Sequence, residues 1–135
     1  MVLGSTAVPV EMKSIVDRIR LSERIVDGEE EREDVGHPPL QETWQRASRF
    51  IMSASLGFWS IRQVVPPTPA ISAGPDGSID IVWRQGIRFV AASVPEEPGD
   101  IVTVYGRDPS RPNRRLPVEE DPEVDGSWIL EWLTR

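Results

Sequence analysis

At 135 residues the chain is long enough for one domain with its own core, and 39% hydrophobic content with five Trp is incompatible with overall disorder. The absence of Cys excludes disulfides, thiolate metal sites, iron–sulfur clusters and cysteine nucleophiles. A net charge of −7 and a pI of about 4.7 repel nucleic-acid phosphates at long range and favour a basic partner.

No apolar run approaches the ~20 residues of a membrane span. Met1–Val10 lacks the basic and apolar regions of a signal peptide, so the cytoplasm is the expected compartment. From Val10 to about Val26 the residues Met12, Ile15, Ile19 and Val26 follow helical spacing among charged neighbours, which predicts an amphipathic helix. Asp27-Gly28 ends it. The acidic run Glu29-Glu30-Glu31-Arg32-Glu33-Asp34 and the breaker Gly36-His37-Pro38-Pro39 then read as a flexible linker. The expected organisation is an N-terminal helix and linker over 1–37, loosely attached to a core domain over 38–135. On this reading a chain lacking residues 1–36 keeps its melting temperature and loses association.

Leu40, Trp44, Ala47, Ile51, Ala54 and Phe58 step by four and three, which predicts the main helix over about 39–62, with Gln41, Glu42, Gln45, Arg46 and Arg49 on its other side. Pro66-Pro67 stops it, and Pro66 to Pro69 forms a stiff connector. Ala70–Ser72 reads as a short edge strand and Asp76-Gly77 as a turn. Ile79, Ile81 and Trp83 then alternate with Ser78, Asp80 and Val82 along a strand. Arg84-Gln85-Gly86 reads as a second turn, after which Ile87, Phe89 and Ala91 resume the alternation. A loop over 95–100 leads to a strand at Ile101–Tyr105, where Ile101, Thr103 and Tyr105 oppose Val102 and Val104. The short loops predict an antiparallel meander. A final helix starting near Asp125 or Ser127 carries Trp128, Ile129, Trp132 and Leu133 on one face. The expected class is therefore α+β: a three- or four-stranded antiparallel meander packed against two helices.

The residues offer no catalytic, metal or cofactor motif. His37, the only histidine, lies between Gly36 and Pro38 and reads as an exposed loop residue rather than a general base. Without Cys, only an all-oxygen metal site remains, and Asp76-Gly77 with Asp80 reads as turn and strand. Arg107, Arg111, Arg114 and Arg115 form the one candidate anion site, in competition with pairing to the acidic run at 119–125. The tryptophans read as core, apart from Trp59, which falls off the main apolar face and suits an interface.

The segment Pro69–Trp83, Pro-Ala-Ile-Ser-Ala-Gly-Pro-Asp-Gly-Ser-Ile-Asp-Ile-Val-Trp, follows a helix bearing Trp44, Ala47, Phe50 and Ile51. Together they resemble a class of small uncharacterised bacterial proteins built from a helix, a Pro-rich connector and a strand led by Asp-Gly. Some of these look like the accessory or antitoxin half of two-gene modules. The resemblance covers about residues 40 to 105 and carries over no functional residue. The expected function is non-enzymatic: an antitoxin, inhibitor or accessory subunit without cofactor. It binds another protein, or a second copy of the chain, through Met12, Ile15, Ile19, Val26 and Trp59. The alternative is an anion- or ligand-binding module or enzyme that uses the Arg-rich loop.

Overall fold

The computed structural model describes residues 8–28, 36–110, 118–120 and 126–134. A 3-10 turn at Val10–Met12 leads into α1 (Lys13–Ser22), which tightens into a second 3-10 segment at Glu23–Asp27. The long helix α2 (Gln41–Arg62) precedes strands β1 (Ala70–Ala73), β2 (Ile79–Gln85), β3 (Arg88–Val94), β4 (Val102–Arg107) and β5 (Val118–Glu120), and α3 is Ser127–Thr134. The strands pair in sequence order, every neighbour antiparallel, so the sheet is a meander in an α+β fold. No described helix is long and apolar enough to cross a membrane.

Local chemistry places these elements. The β1–β2 hairpin closes where Asp76 and Gly77 both take positive φ (53° and 77°) and Ser78 N–H bonds to Pro75 O (3.1 Å), the pattern of a turn whose twist matches its strands. The β2–β3 loop is only Gly86-Ile87, because Gln85 and Arg88 already pair. Gly86 (φ 61°) supplies the positive φ that a two-residue loop needs at its first position. Arg84 and Gln85, expected in the turn, are thus strand residues. Helix α2 ends at Gln63, whose left-handed backbone returns its N–H to Trp59 O at 2.8 Å.

One face of the sheet meets the helices. Ile79, Ile81 and Trp83 of β2, Val90, Ala92 and Val94 of β3, and Val102 and Val104 of β4 are buried in a single cluster. Ala47, Phe50, Ile51, Ala54 and Phe58 of α2 and Ile129, Leu130, Trp132 and Leu133 of α3 complete it. Phe50 lies against Trp83 with ring centroids 6.3 Å apart. The paired contacts Arg62 Nε–Glu131 Oε1 (2.9 Å) and Arg62 Nη2–Glu131 Oε2 (2.7 Å) clamp α2 to α3. Two expectations for α2 need correction. Leu40 is 48% exposed because it sits at the helix N-cap before the apolar stripe begins, and Arg46 is 7% exposed rather than solvated.

The largest correction concerns the N-terminal helix. Met12, Ile15 and Ile19 are buried in the same cluster as the sheet, and Ile25 joins them. The stripe is wider than its spacing implied because the chain narrows from 3.6 to about three residues per turn after Ser22, which brings Ile25 inward in place of Val26. Val26 is half-buried. Polar links reinforce the packing: Trp44 Nε1 donates to Ser22 Oγ (2.9 Å), Gln41 Nε2 to Glu23 Oε2 (2.9 Å) and Arg18 Nη1 to Pro69 O (3.3 Å). Met12, Ile15 and Ile19 therefore serve this chain's own core, and no partner reaches them without undocking α1. Trp59 is half-buried against that core.

Candidate functional site

Side chains alternate across a strand, so burying Ile79, Ile81 and Trp83 sends Asp80, Val82 and Arg84 to the other side. The register carries this across the sheet. One row joins Ser72, Asp80, Ser93 and Thr103, the next Ala70, Val82, Ala91 and Tyr105, and the third Arg84, Phe89 and Arg107. The described helices bury their apolar residues on the opposite side, so no described helix covers this face, called here the open face. Tyr105 is 40% exposed, Arg84 and Arg107 are exposed, and Val82, Phe89 and Ala91 are half-buried.

The open face is chemically uneven. Phe89 and Tyr105 pair with centroids 6.0 Å apart at 48°. The Arg84 guanidinium carbon lies 5.7 Å from the Phe89 centroid, a cation–π approach. Arg107 stands directly across from Phe89 on the other side. Phe89 is thus flanked in its row by two arginines, while Asp80 lies two rows away. Among the described residues neither Arg84 nor Arg107 forms an ion pair.

A second polar constellation gathers three loops at the far end of the sheet. His37 pairs with Glu96 through Nε2 and Oε2, above Gly77. A Cβ at Gly77 would push against the ends of both side chains and disturb their pairing, and the turn needs glycine for its φ of 77°. Beneath them Arg46 Nη2 donates to Pro95 O (2.8 Å) and Glu96 O (2.7 Å), which fixes the loop that carries Glu96. Burial lowers the Arg46 pKa from its ordinary value. His37 is raised above 6.5, first by the hydrogen bond and then by the charge of Glu96, with Asp76 adding to the effect. His37 is the exposed loop residue expected, and its pairing with Glu96, 59 residues away in sequence, is what the local sequence does not reveal.

A histidine whose folded pKa is raised stabilises the fold fully below its unfolded value, and that contribution fades as pH climbs through the folded value. The window therefore begins near 6.5 and extends upward. Because the chain has one histidine, its imidazole resonance titrates alone in an NMR experiment. Glu96→Gln is expected to bring the His37 midpoint back toward 6.5. An unchanged midpoint in that variant would show that the clasp does not form in solution.

The expected sites are redistributed. Arg107 ends β4 and belongs to the open face rather than to a loop. Arg111, Arg114 and Arg115 lie outside the described residues. Beyond Arg107 the chain turns inward: Asp108 is buried, accepts from Ser110 N (3.1 Å) and Ser110 Oγ (2.6 Å), and lies 3.3 Å from Arg88 Nε. Arg88 Nη1 also reaches Leu133 O (3.2 Å), so this group joins β3, β4 and α3 and is structural. Phe89, Tyr105 and Arg84 were not anticipated as a site. The signal was the loop length: a two-residue Gly86-Ile87 loop pairs Trp83 with Val90, which puts Val90 in the core and Phe89 outside. Among the described residues no group of three or more His, Asp or Glu is placed to hold a metal ion. No protein-family model, curated protein or solved structure matches the chain.

Proposed function

We propose that the chain is a non-enzymatic protein-binding domain that docks a partner protein on the open face of its sheet. The observation that carries this reading is the Phe89–Tyr105 pair, with Phe89 flanked by Arg84 and Arg107, on a face no described helix covers. Aromatic residues and Arg concentrate at interface centres because they combine large apolar area with directional polar contacts. The supporting strands belong to a core on their other side, so the face is held rigid before any partner arrives, which lowers the ordering cost of association. An antitoxin or accessory subunit, the role that the resemblance implies, or an inhibitor needs such a surface and no catalytic group.

Tagged chain isolated from its native cells tests this reading when three forms are compared. Wild type and Gln45→Ala, altered at an exposed position of α2, are expected to retain the same co-purifying protein. The Phe89→Ala/Tyr105→Ala variant is expected to lose it, since truncating a central aromatic anchor costs on the order of 2 kcal/mol, more than tenfold in affinity. Equal recovery by the double variant would remove the open face as the docking surface.

A further inference from the structure

We infer that the partner segment gripped by this face is acidic, with a side-chain carboxylate held between Arg84 and Arg107 and apolar neighbours laid on Tyr105 and Val82. This rests on the protein-binding reading and names the chemistry that satisfies it. Three observations carry it.

The first is geometry. Arg84, Phe89 and Arg107 occupy one row on three consecutive strands. Neighbouring strands are about 4.8 Å apart, so the two Arg backbones stand roughly 10 Å apart, and long side chains from both sides reach one carboxylate over Phe89. A guanidinium in cation–π approach to an aromatic ring keeps N–H donors available for bidentate contact, as Arg84 does 5.7 Å from the Phe89 centroid.

The second is contrast with other arginines. Arg18, Arg46, Arg62 and Arg88 each serve the fold, bonding Pro69 O, the Pro95 and Glu96 carbonyls, Glu131, and Leu133 O with Asp108. Arg84 and Arg107 form no ion pair among the described residues, although the chain holds 22 acidic residues against 15 basic ones. Two guanidiniums in one row of an acidic protein, without an ion partner among the described residues, make a local site of opposite sign to the whole.

The third is the other end of the same face, where the row Ser72, Asp80, Ser93 and Thr103 contains no Lys or Arg. A strand of nucleic acid bearing a phosphate at every nucleotide would run from the Arg row into a row without Lys or Arg, against a field of net charge −7. One or two carboxylates on a mixed apolar segment meet only the favourable end.

Fluorescence anisotropy of the full chain with labelled peptides tests the assignment. The probes are a peptide with Glu residues flanking Leu-Phe, its Gln counterpart, and a short oligothymidine. The Glu peptide is expected to bind at least about tenfold more tightly than the Gln peptide, with the difference shrinking as salt screens it. Arg84→Gln/Arg107→Gln is expected to abolish the preference without changing the melting temperature. Absent or equal binding of the two peptides, tighter binding of oligothymidine, or self-association that the same double variant removes would each overturn the acidic-partner assignment. Partner capture separates the two levels. If Arg84→Gln/Arg107→Gln keeps the native partner while Phe89→Ala/Tyr105→Ala loses it, acid recognition fails and the docking face stands. If both variants keep it, both readings fall.

Discussion

Removing residues 1–36 is expected to destroy the cooperative thermal transition of the remaining chain. The truncation strips Met12, Ile15, Ile19 and Ile25 from the core, each of them essentially inaccessible to solvent in the intact protein. Fully burying such a side chain is worth about 1.5–3 kcal/mol, so four of them contribute on the order of 6–12 kcal/mol. Domains of this size have a total stability of about 5–15 kcal/mol, which means the loss alone is enough to unfold most of them. The truncation also exposes the inner side of β1 and α2 and removes the partner of the Trp44 indole, Ser22 Oγ. Ile15→Val/Ile19→Val separates packing from gross deletion: each change is expected to cost about 0.5–1.5 kcal/mol in urea unfolding while the fold persists. A truncated chain that melted at the full-length temperature would show that α1 only rests on the domain.

The contrast between what was legible and what was not follows the range of the interactions. Helix α2 announced itself through Ala47, Ile51, Ala54 and Phe58, because a 3.6-residue period needs only neighbours to be seen. The Asp76-Gly77 turn and the Ile79-Ile81-Trp83 alternation were equally local. A helical wheel drawn at 100° per residue points Val26 inward, whereas the 3-10 continuation at Glu23–Asp27 turns Ile25 to the core instead. The candidate site depended on register. Phe89 and Val90 are both apolar, both continue an alternation, and only the pairing of Gln85 with Arg88 decides which points inward. His37, Glu96 and Arg46 were opaque for a different reason: they come from three separate segments and nothing local couples them.

The two faces of the sheet are expected to respond oppositely to loss of an aromatic ring. Trp83 is completely buried and packs against Phe50, so Trp83→Ala is expected to lower the unfolding free energy by about 3–5 kcal/mol through lost transfer energy and the cavity left between sheet and α2. Phe89 and Tyr105 keep part of their surface in water already, and removing both is expected to cost about 1–2 kcal/mol, most of it from the ring–ring contact and partial burial. Partner capture is expected to reverse this order. Under conditions where Trp83→Ala remains folded, it leaves the open face chemically intact and should still retain the partner, whereas Phe89→Ala/Tyr105→Ala unfolds later and binds less. Urea unfolding and capture on the same three proteins read both quantities. If Phe89→Ala/Tyr105→Ala proved as destabilising as Trp83→Ala, those rings would belong to a second core covered by another element. The open face would then cease to be a surface, and the docking proposal would lose its site. The prediction follows from the pleat itself: residues 83 and 84 point to opposite sides of one strand, the first holding the helices to the sheet and the second standing beside the aromatic pair that the partner would meet.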